Sequence, residues 1–386
     1  MTQSTRSPEC TPSSPRPLYV AFELGSTKWT IAFAAAPAAR PRVRSIPAGD
    51  LARLETEILN ATAVLGLPLD APVQTCYEAG RDGFWLHRWL TSHGIANVVV
   101  DSSSIEVNRR ARRAKTDRLD VGRLLHLLMR WAGGERQVWS VVHVPSAEAE
   151  AARQLTREID TVKEDRKRVR NRLQGLLATQ GVRLGLERGF LKRLAEATTG
   201  DGQPLAPAYV ARLTREWTHL EAIDARLTTL TAQRDEAVLT GTDRASVVAR
   251  QMCTLKSIAE TSAAVISAEL FGTRTFANGR QIGALIGLVP VPYRSDQIVH
   301  DQGISKAGRA ELRALAVQLA WLWVRWQPDS ALTKWFVRRC EGAGARSRRV
   351  AIVALARKLM IALWRYVTHG VIPEGAVMKT TTVTAA

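Results

Sequence analysis

The 386-residue sequence has few cysteines, few acidic residues for its size and no long apolar run. The cysteines lie far apart, at positions 10, 76, 253 and 340, so their spacing indicates neither a disulfide framework nor a zinc site and fits a reducing compartment. The longest apolar stretches, such as IAFAAAPAA, are too short to span a bilayer. The N-terminus also lacks the charged-then-apolar order of a secretory signal. We therefore expect a cytoplasmic protein without a membrane partner.

Positive charge is what the chain has in excess. Its 54 Lys and Arg residues exceed its 36 Asp and Glu residues, which gives a formal net charge of +18. Neutralisation of phosphates supplies much of the affinity of proteins for nucleic acids, so this excess favours a polyanionic partner. The hydrophobic content of 46% excludes a disordered basic tail, because it is enough to form buried cores.

The pattern of the sequence predicts three structured regions between two loose ends. Residues 1–16 are rich in Ser, Thr and Pro and are predicted to be disordered, and residues 373–386 to form a flexible tail. Within residues 17–145, the segments LYVAFEL, WTIAFA and RVRSI read as strands, followed by helix, strand, helix, strand and helix. Three early strands with tight turns, followed by βα alternation, predict an α/β domain with a mixed sheet.

The remaining sequence is predicted to be mainly helical. Residues 146–240 contain two long segments with apolar positions at steps of three and four, interrupted by Arg166 and Asp224. This pattern predicts either an antiparallel helical hairpin or an intermolecular coiled coil. Residues 241–372 are predicted to form a mostly α-helical domain, with a long loop over residues 287–308 because that segment is rich in Pro, Gly, Ser and Asp.

Four acidic residues are the best candidates for chemistry: Glu23, Glu78, Asp117 and Asp120. Glu23 lies within an otherwise apolar strand, Glu78 follows another strand, and the two aspartates lie three apart at a helix start. Carboxylates that gather in a basic protein suggest a bound Mg²⁺, which prefers oxygen ligands and substrate phosphates. Alternatively, the aspartates are a solvated helix start that suits the helix dipole, and Glu78 is a polar strand end.

The strand order and these acids resemble the ribonuclease H superfold, and further motifs make the resemblance more specific. The stretches VAFELGSTKWTIAF, CYEAGRDGFWLHRWL, KTDRLD, GLVPVPYRSD and QGISKAGRAELRALAVQLAW resemble the insertion-sequence "one-ten" family of transposases. Such recombinases have a RuvC-like N-terminal domain and a separate C-terminal serine domain. The resemblance spans about residues 18–370.

This resemblance implies a catalytic set and a cofactor. The family's Asp-Glu-Asp-Asp motif maps to Glu23, Glu78, Asp117 and Asp120, which would hold Mg²⁺, and the family's serine nucleophile maps to Ser295. Glu23 replaces an aspartate of that pattern, and Asp296 replaces the glycine that usually follows the serine. Ser305 is a second serine, expected to bind phosphate or cap a helix.

Nucleic acids are the implied partners: the DNA of element ends and target, and a noncoding guide RNA. The resemblance also implies a homo-oligomer, a dimer or tetramer, in the bacterial cytoplasm at the nucleoid. Basic residues recur in all three regions, and we predict nucleic-acid contacts by the following members: Arg109, Arg110, Arg112, Arg113, Lys115, Arg170, Arg172, Lys306, Arg309 and Arg313.

Two alternatives to an active DNA recombinase stay open. One is a transposase relative that binds nucleic acid without cutting it. The other is an ATP-dependent kinase of the actin and sugar-kinase superfold, since FELGSTK resembles its phosphate loop, although a second Asp-x-Gly-Gly motif is missing.

Overall fold

The computed structural model describes residues 16–37, 39–106, 116–295, 298–342 and 344–379, with the backbone alone for residues 292–295 and 298–302. The chain divides into two compact units between Val144 and Pro145. In these described residues, no helix is both long and apolar enough to cross a membrane.

The N-terminal unit is built on a five-stranded mixed sheet. Its strands are β1 (Leu18–Leu24), β2 (Lys28–Ala34), β3 (Arg42–Pro47), β4 (Val73–Glu78) and β5 (Ala96–Val100). Its helices are α1 (Leu51–Val64), α2 (Trp85–Ser92) and α3 (Asp117–Ala132), with a 3₁₀ turn at Ser102–Ser104. The strand order is β3-β2-β1-β4-β5: β1 is antiparallel to β2 and parallel to β4, while β2 and β3 are antiparallel and β4 and β5 parallel. The predicted mixed sheet is confirmed.

Both faces of this sheet are covered, because side chains alternate along each strand. On one face, Phe22 of β1 packs in a core with Leu54 of α1 and Leu90 of α2. On the other face, Ala21 of β1 packs in a core with Leu125 of α3. Helix α3 therefore covers the face to which the odd-numbered residues of β1 point.

The C-terminal unit is mainly helical. Its helices are α4 (Ala147–Ala151), α5 (Gln154–Thr179), α6 (Phe190–Ala195), α7 (Pro207–Thr240), α8 (Arg244–Cys253), α9 (Glu260–Ile266), α10 (Gly279–Leu285), α11 (Ala310–Trp326), α12 (Ala331–Cys340) and α13 (Ala345–His369). A π-helical turn at Ser267–Phe271 continues α9, and two strands, β6 (Pro290–Ser295) and β7 (Ile298–Ile304), form an antiparallel hairpin.

The two long helices α5 and α7 pack against each other within the chain. Of the two predicted arrangements, this is the antiparallel helical hairpin. Their apolar positions form one core that includes Val169, Leu173 and Leu220. The two polar residues that interrupt the apolar pattern bind each other, since Arg166 Nε donates to Asp224 Oδ1 at 2.5 Å. An intermolecular coiled coil stays a prediction.

A second core joins helices α8–α13. Within it the segment 287–308, predicted as a long loop, contains the hairpin of β6 and β7 instead. Residues 373–379, from the segment predicted to be a flexible tail, are tied to the helices. Val377 N–H donates to Gln327 Oε1 at 2.6 Å, and Lys379 N–H donates to Thr254 O at 2.6 Å.

Candidate functional site

Glu23 and Glu78 lie at the same end of two neighbouring parallel strands, as the next-to-last residue of β1 and the last residue of β4. Phe22 of β1 is paired with Tyr77 of β4, so Glu23 and Glu78 stand one residue further along both strands. Adjacent strands lie about 4.8 Å apart. Because side chains alternate along a strand, Glu23 lies on the same face as Ala21, and Glu78 on the same face as Cys76. Both belong to the face that α3 covers.

A buried thiol supports this placement of Glu78. Cys76 lies two residues before Glu78, and its thiol donates to Leu124 O of α3 at 3.9 Å. Burial raises the pKa of the Cys76 thiol well above its usual value, and the negative charge of Glu78 raises it further. The three cysteines in the described part of the chain are all free thiols.

The two aspartates start α3 at the same edge of the sheet. Thr116 is the N-cap of α3 and its hydroxyl accepts a hydrogen bond from Leu119 N–H at 3.3 Å. Asp117 is ion-paired with Lys28 at 3.8 Å, and Lys28 opens β2 directly after the turn that follows β1. Asp120 lies in the same first turn of the helix and is half-buried. The fold thus brings all four predicted acids to one edge of one sheet.

These acids do not form a complete preformed metal cage. Among the described residues, no group of three or more His, Cys, Asp or Glu side chains is arranged to hold a metal ion. Mg²⁺ is nevertheless often held by one or two carboxylates with phosphates and water as the other ligands. Two glutamates on adjacent strand ends fit that smaller donor set.

Ser295 ends strand β6 of the C-terminal unit. Its backbone is paired with Ile298 across the hairpin, while its side chain and residue Asp296 lie outside what the structure describes. The carboxylates and Ser295 belong to different compact units.

The base of this hairpin is fixed by two glycines that lie against opposing backbone. Gly287 has φ +68°, and a Cβ there would lie 2.0 Å from Ala307 O. Gly308 has φ +75°, and a Cβ there would lie 2.0 Å from Leu285 O. Only glycine allows both the positive φ and the close backbone approach. The GLVP and GISKAG motifs are therefore two sides of one backbone junction that holds the hairpin.

Side chains and strained backbone complete the junction. Arg313 Nη1 donates to Ile286 O at 3.4 Å and to Ala307 O at 3.3 Å. Lys306 is exposed and has φ +55°, the one positive φ of a non-glycine residue in the described ranges. Ser305 does not cap α11, whose N-cap residue is Arg309, so the capping role expected for Ser305 is wrong.

The structure gives most of the described basic candidates a partner inside the protein. Arg170 Nη1 donates to Leu186 O at 3.4 Å, and Arg172 is ion-paired with Glu216 at 2.8 Å. Lys306 is the exposed member of this group. Nucleic-acid contact by these residues stays a prediction, and the remaining candidates lie outside the described residues: Arg109, Arg110, Arg112, Arg113 and Lys115.

Arg309 belongs to a partly buried cluster that the sequence pattern does not predict. Glu269, 5% exposed, is ion-paired with Arg309 at 2.6 Å and with Arg157 at 3.1 Å. Arg153 is also 5% exposed; its Nε donates to Ala268 O at 3.2 Å. Arg274 lies close enough to interact electrostatically with Glu269. One carboxylate therefore faces four guanidinium groups.

The pKa values of this cluster follow from burial and charge. Burial favours the protonated form of Glu269, but the hydrogen bonds and charges of Arg157 and Arg309 outweigh it and hold its pKa below the usual value. Burial lowers the pKa of Arg153 and of Arg274. One feature of the sequence does indicate a buried carboxylate here: Glu269 is a single acid in the apolar stretch SAELFG, as Glu23 is in its strand.

Comparison with known proteins shows similarity to transposases. The model of the IS116/IS110/IS902 transposase family matches residues 249–334, which include the hairpin and both glycines of its base. The Sinorhizobium fredii protein y4rJ, which is named as a transposase, is 38% identical over 378 residues, covering 94% of this chain and 95% of that protein.

Two relatives with more specific names match shorter parts. The Yersinia enterocolitica transposase for insertion sequence element IS1328 is 27% identical over 56% of this chain and 63% of its own length. The Leptospira borgpetersenii transposase for insertion sequence element IS1533 is 30% identical over 29% of this chain and 31% of its own length. Because the match to y4rJ extends along nearly the whole chain, the protein belongs to the IS116/IS110/IS902 family of transposases.

Proposed function

We propose that the protein is a DNA recombinase that cuts and rejoins the strands of an insertion sequence. The observation that carries this proposal is the near-full-length similarity to a protein named as a transposase. The net charge of +18 suits a DNA partner. The family assignment removes the support for an ATP-dependent kinase, whose phosphate loop would have coincided with the β1–β2 turn.

In this proposal the N-terminal unit is RNase H-like and RuvC-like, and its acids hold Mg²⁺. Glu23 and Glu78, on adjacent strand ends, would be the first ligands, with Asp117 and Asp120 at the same edge. When bound, Mg²⁺ would neutralise charge on a DNA phosphate. The carboxylates supply negative charge at this edge, where Asp117 also forms an exposed ion pair with Lys28 at 3.8 Å.

Ser295 is the proposed nucleophile. Its Oγ attacks a DNA phosphorus, the serine proton leaves to a base or to water, and a serine–phosphate ester forms as one P–O bond of the strand breaks. The displaced strand oxygen takes a proton and becomes a hydroxyl. Attack by a hydroxyl of another strand on the same ester then rejoins DNA and regenerates the serine. The anchored base of the hairpin would hold Ser295 at a fixed place during both steps.

The decisive experiment is detection of a covalent protein–DNA adduct with element-end DNA, Mg²⁺ and RNA transcribed from the DNA that flanks the gene. Ser295→Ala and Asp117→Ala should abolish the adduct, whereas the exposed, loop-located Asp70→Ala should retain it. Full adduct formation by Ser295→Ala would refute the nucleophile assignment.

Separate measurements test the metal, the RNA and the oligomer. Mn²⁺ binding, followed by electron paramagnetic resonance without DNA, should weaken in a Glu23→Gln Glu78→Gln variant and stay unchanged in Asp70→Asn. Omission of the RNA should remove strand exchange on matched DNA, and sedimentation should show a dimer or tetramer. A protein that binds DNA and RNA but never forms an adduct would instead be a non-cutting binder.

A further inference from the structure

A groove beside the hairpin has both the charge and the apolar floor of a nucleic-acid site. Its volume is about 670 Å³. The apolar residues that line it, called its floor below, include Leu288, Pro290 and Ile304 at the hairpin base and Val350 and Val353 of α13. This groove lies wholly within the C-terminal unit, so its walls belong to one compact body.

Five cationic side chains line the groove: Arg339, Arg346, Arg349, Arg357 and Lys358. Among the described residues, no Asp or Glu lines it, and none of the five cations is in an ion pair. Such unneutralised charge attracts a polyanion.

Several of these cations are held in position by their neighbours. Lys358 Nζ lies 4.8 Å from the centre of the Trp335 ring, and the Arg339 guanidinium lies 5.9 Å from the same ring. Arg357 packs against Gly283 of α10, where an added Cβ would lie 3.1 Å from Arg357 Nε. Positioned cations lose less conformational freedom when they bind phosphates.

The hairpin relates this groove to the proposed nucleophile. Pro290, which lines the groove, is five residues before Ser295 on the same strand. At about 3.3 Å per residue, the two positions are at most about 17 Å apart. Successive nucleotides of one DNA strand rise about 3.4 Å along the axis of the duplex, so this distance corresponds to about five nucleotides or fewer.

The apolar floor favours an unpaired strand over a duplex. A duplex keeps its bases stacked inside and presents mainly phosphates to a protein surface, whereas an unpaired strand can lay bases on an apolar floor and phosphates on a cationic rim. We propose that this groove binds an unpaired segment of the DNA strand within about five nucleotides of the bond that Ser295 attacks. This inference rests on the proposed function and deepens it by assigning a DNA subsite.

The first test is photocrosslinking from the groove, in a Ser295→Ala background so that chemistry does not interfere. Val350, 60% exposed, is replaced by p-benzoylphenylalanine, and Leu239 of α7, 65% exposed, is the matched control. Irradiation should link position 350 to a single-stranded DNA more than to a duplex of the same sequence, within about five nucleotides of the cleavage position. Position 239 should give no such product.

The second test uses the salt dependence of binding to the same single-stranded DNA. For single strands, the magnitude of the slope of log K against log[salt] decreases by about 0.7 for each phosphate contact that is removed. Arg346→Gln Arg349→Gln should therefore reduce the slope by about 1.4. Arg212→Gln Arg215→Gln, an exposed pair with the same spacing on α7, should leave it unchanged.

The outcomes separate this inference from the proposed function. Equal crosslinking at positions 350 and 239, a preference for duplex or for RNA, or an unchanged slope in the groove variant would overturn the groove assignment. If the wild-type protein forms adducts in any of those cases, the recombinase proposal stands. If DNA crosslinks at position 350 but Ser295→Ala retains adducts, the nucleophile assignment fails and the groove remains. Absence of any DNA binding would overturn both.

Discussion

Replacement of Glu269 by Gln should destabilise the C-terminal unit strongly. The variant keeps the shape of the side chain but removes the buried negative charge that Arg153, Arg157, Arg274 and Arg309 share. Removal of one partner from a buried ion pair costs about 3–5 kcal/mol, because the other charge stays buried without compensation. Glu269 is 5% exposed, but Arg157 and Arg309 are 46% and 41% exposed, so the cost should lie at the lower end of that range, about 3 kcal/mol.

Calorimetry of the full chain is the appropriate assay. For a unit of this size, 1 kcal/mol corresponds to about 2–4 °C, so the transition of the C-terminal unit should fall by about 6–12 °C. Glu311→Gln is the matched control. Glu311 also binds Arg309, at 3.7 Å, but is 71% exposed, and its loss should cost less than about 0.5 kcal/mol.

The same cluster predicts a dependence on pH. Because the folded-state pKa of Glu269 lies below its unfolded value of about 4.3, the stabilisation is complete above that pH. It is lost as the pH falls through the folded-state pKa. The difference in unfolding free energy between wild type and Glu269→Gln should therefore shrink progressively below about pH 4. A variant that unfolds within about 1 kcal/mol of wild type at neutral pH would refute the claim that the arginines depend on this carboxylate.

Two further changes test the hairpin base and the helix pair. Gly342→Ala, at φ +67° in open space, should lower the free energy of unfolding by about 1–2 kcal/mol, measured with denaturant. Gly287→Ala should lower it by more than twice as much, because its Cβ would meet Ala307 O, and should also abolish adducts. A smaller effect at position 287 than at 342 would contradict the junction. A double-mutant cycle of Arg166→Ala and Asp224→Ala should give a coupling of about 0.2–1 kcal/mol, since both side chains are 43% exposed. No measurable coupling would contradict a contribution of this ion pair to the stability of the helix pair.

The sheet and the long helices could be predicted because their signals are local. LYVAFEL predicts β1 within its observed bounds, and the three-four spacing of apolar residues predicts α5 and α7. The β6–β7 hairpin was missed because Pro, Gly and Asp content favours a loop in any local window. Its strands form through pairing across the turn and through the backbone junction at Gly287, which composition does not reveal.

The candidate site divides in the same way. The sequence by itself determined which residues can carry charge and chemistry, that the protein is basic, and that Glu23 and Glu78 end strands. Only the tertiary structure decided that β1 and β4 are parallel neighbours, so that these glutamates share an edge with the start of α3. It also decided that Arg309, predicted from the sequence to contact nucleic acid, forms an ion pair with Glu269, forty residues earlier in the chain. The physical reason is that residue type and periodicity are local, whereas the pairing of charges depends on which distant segments pack together.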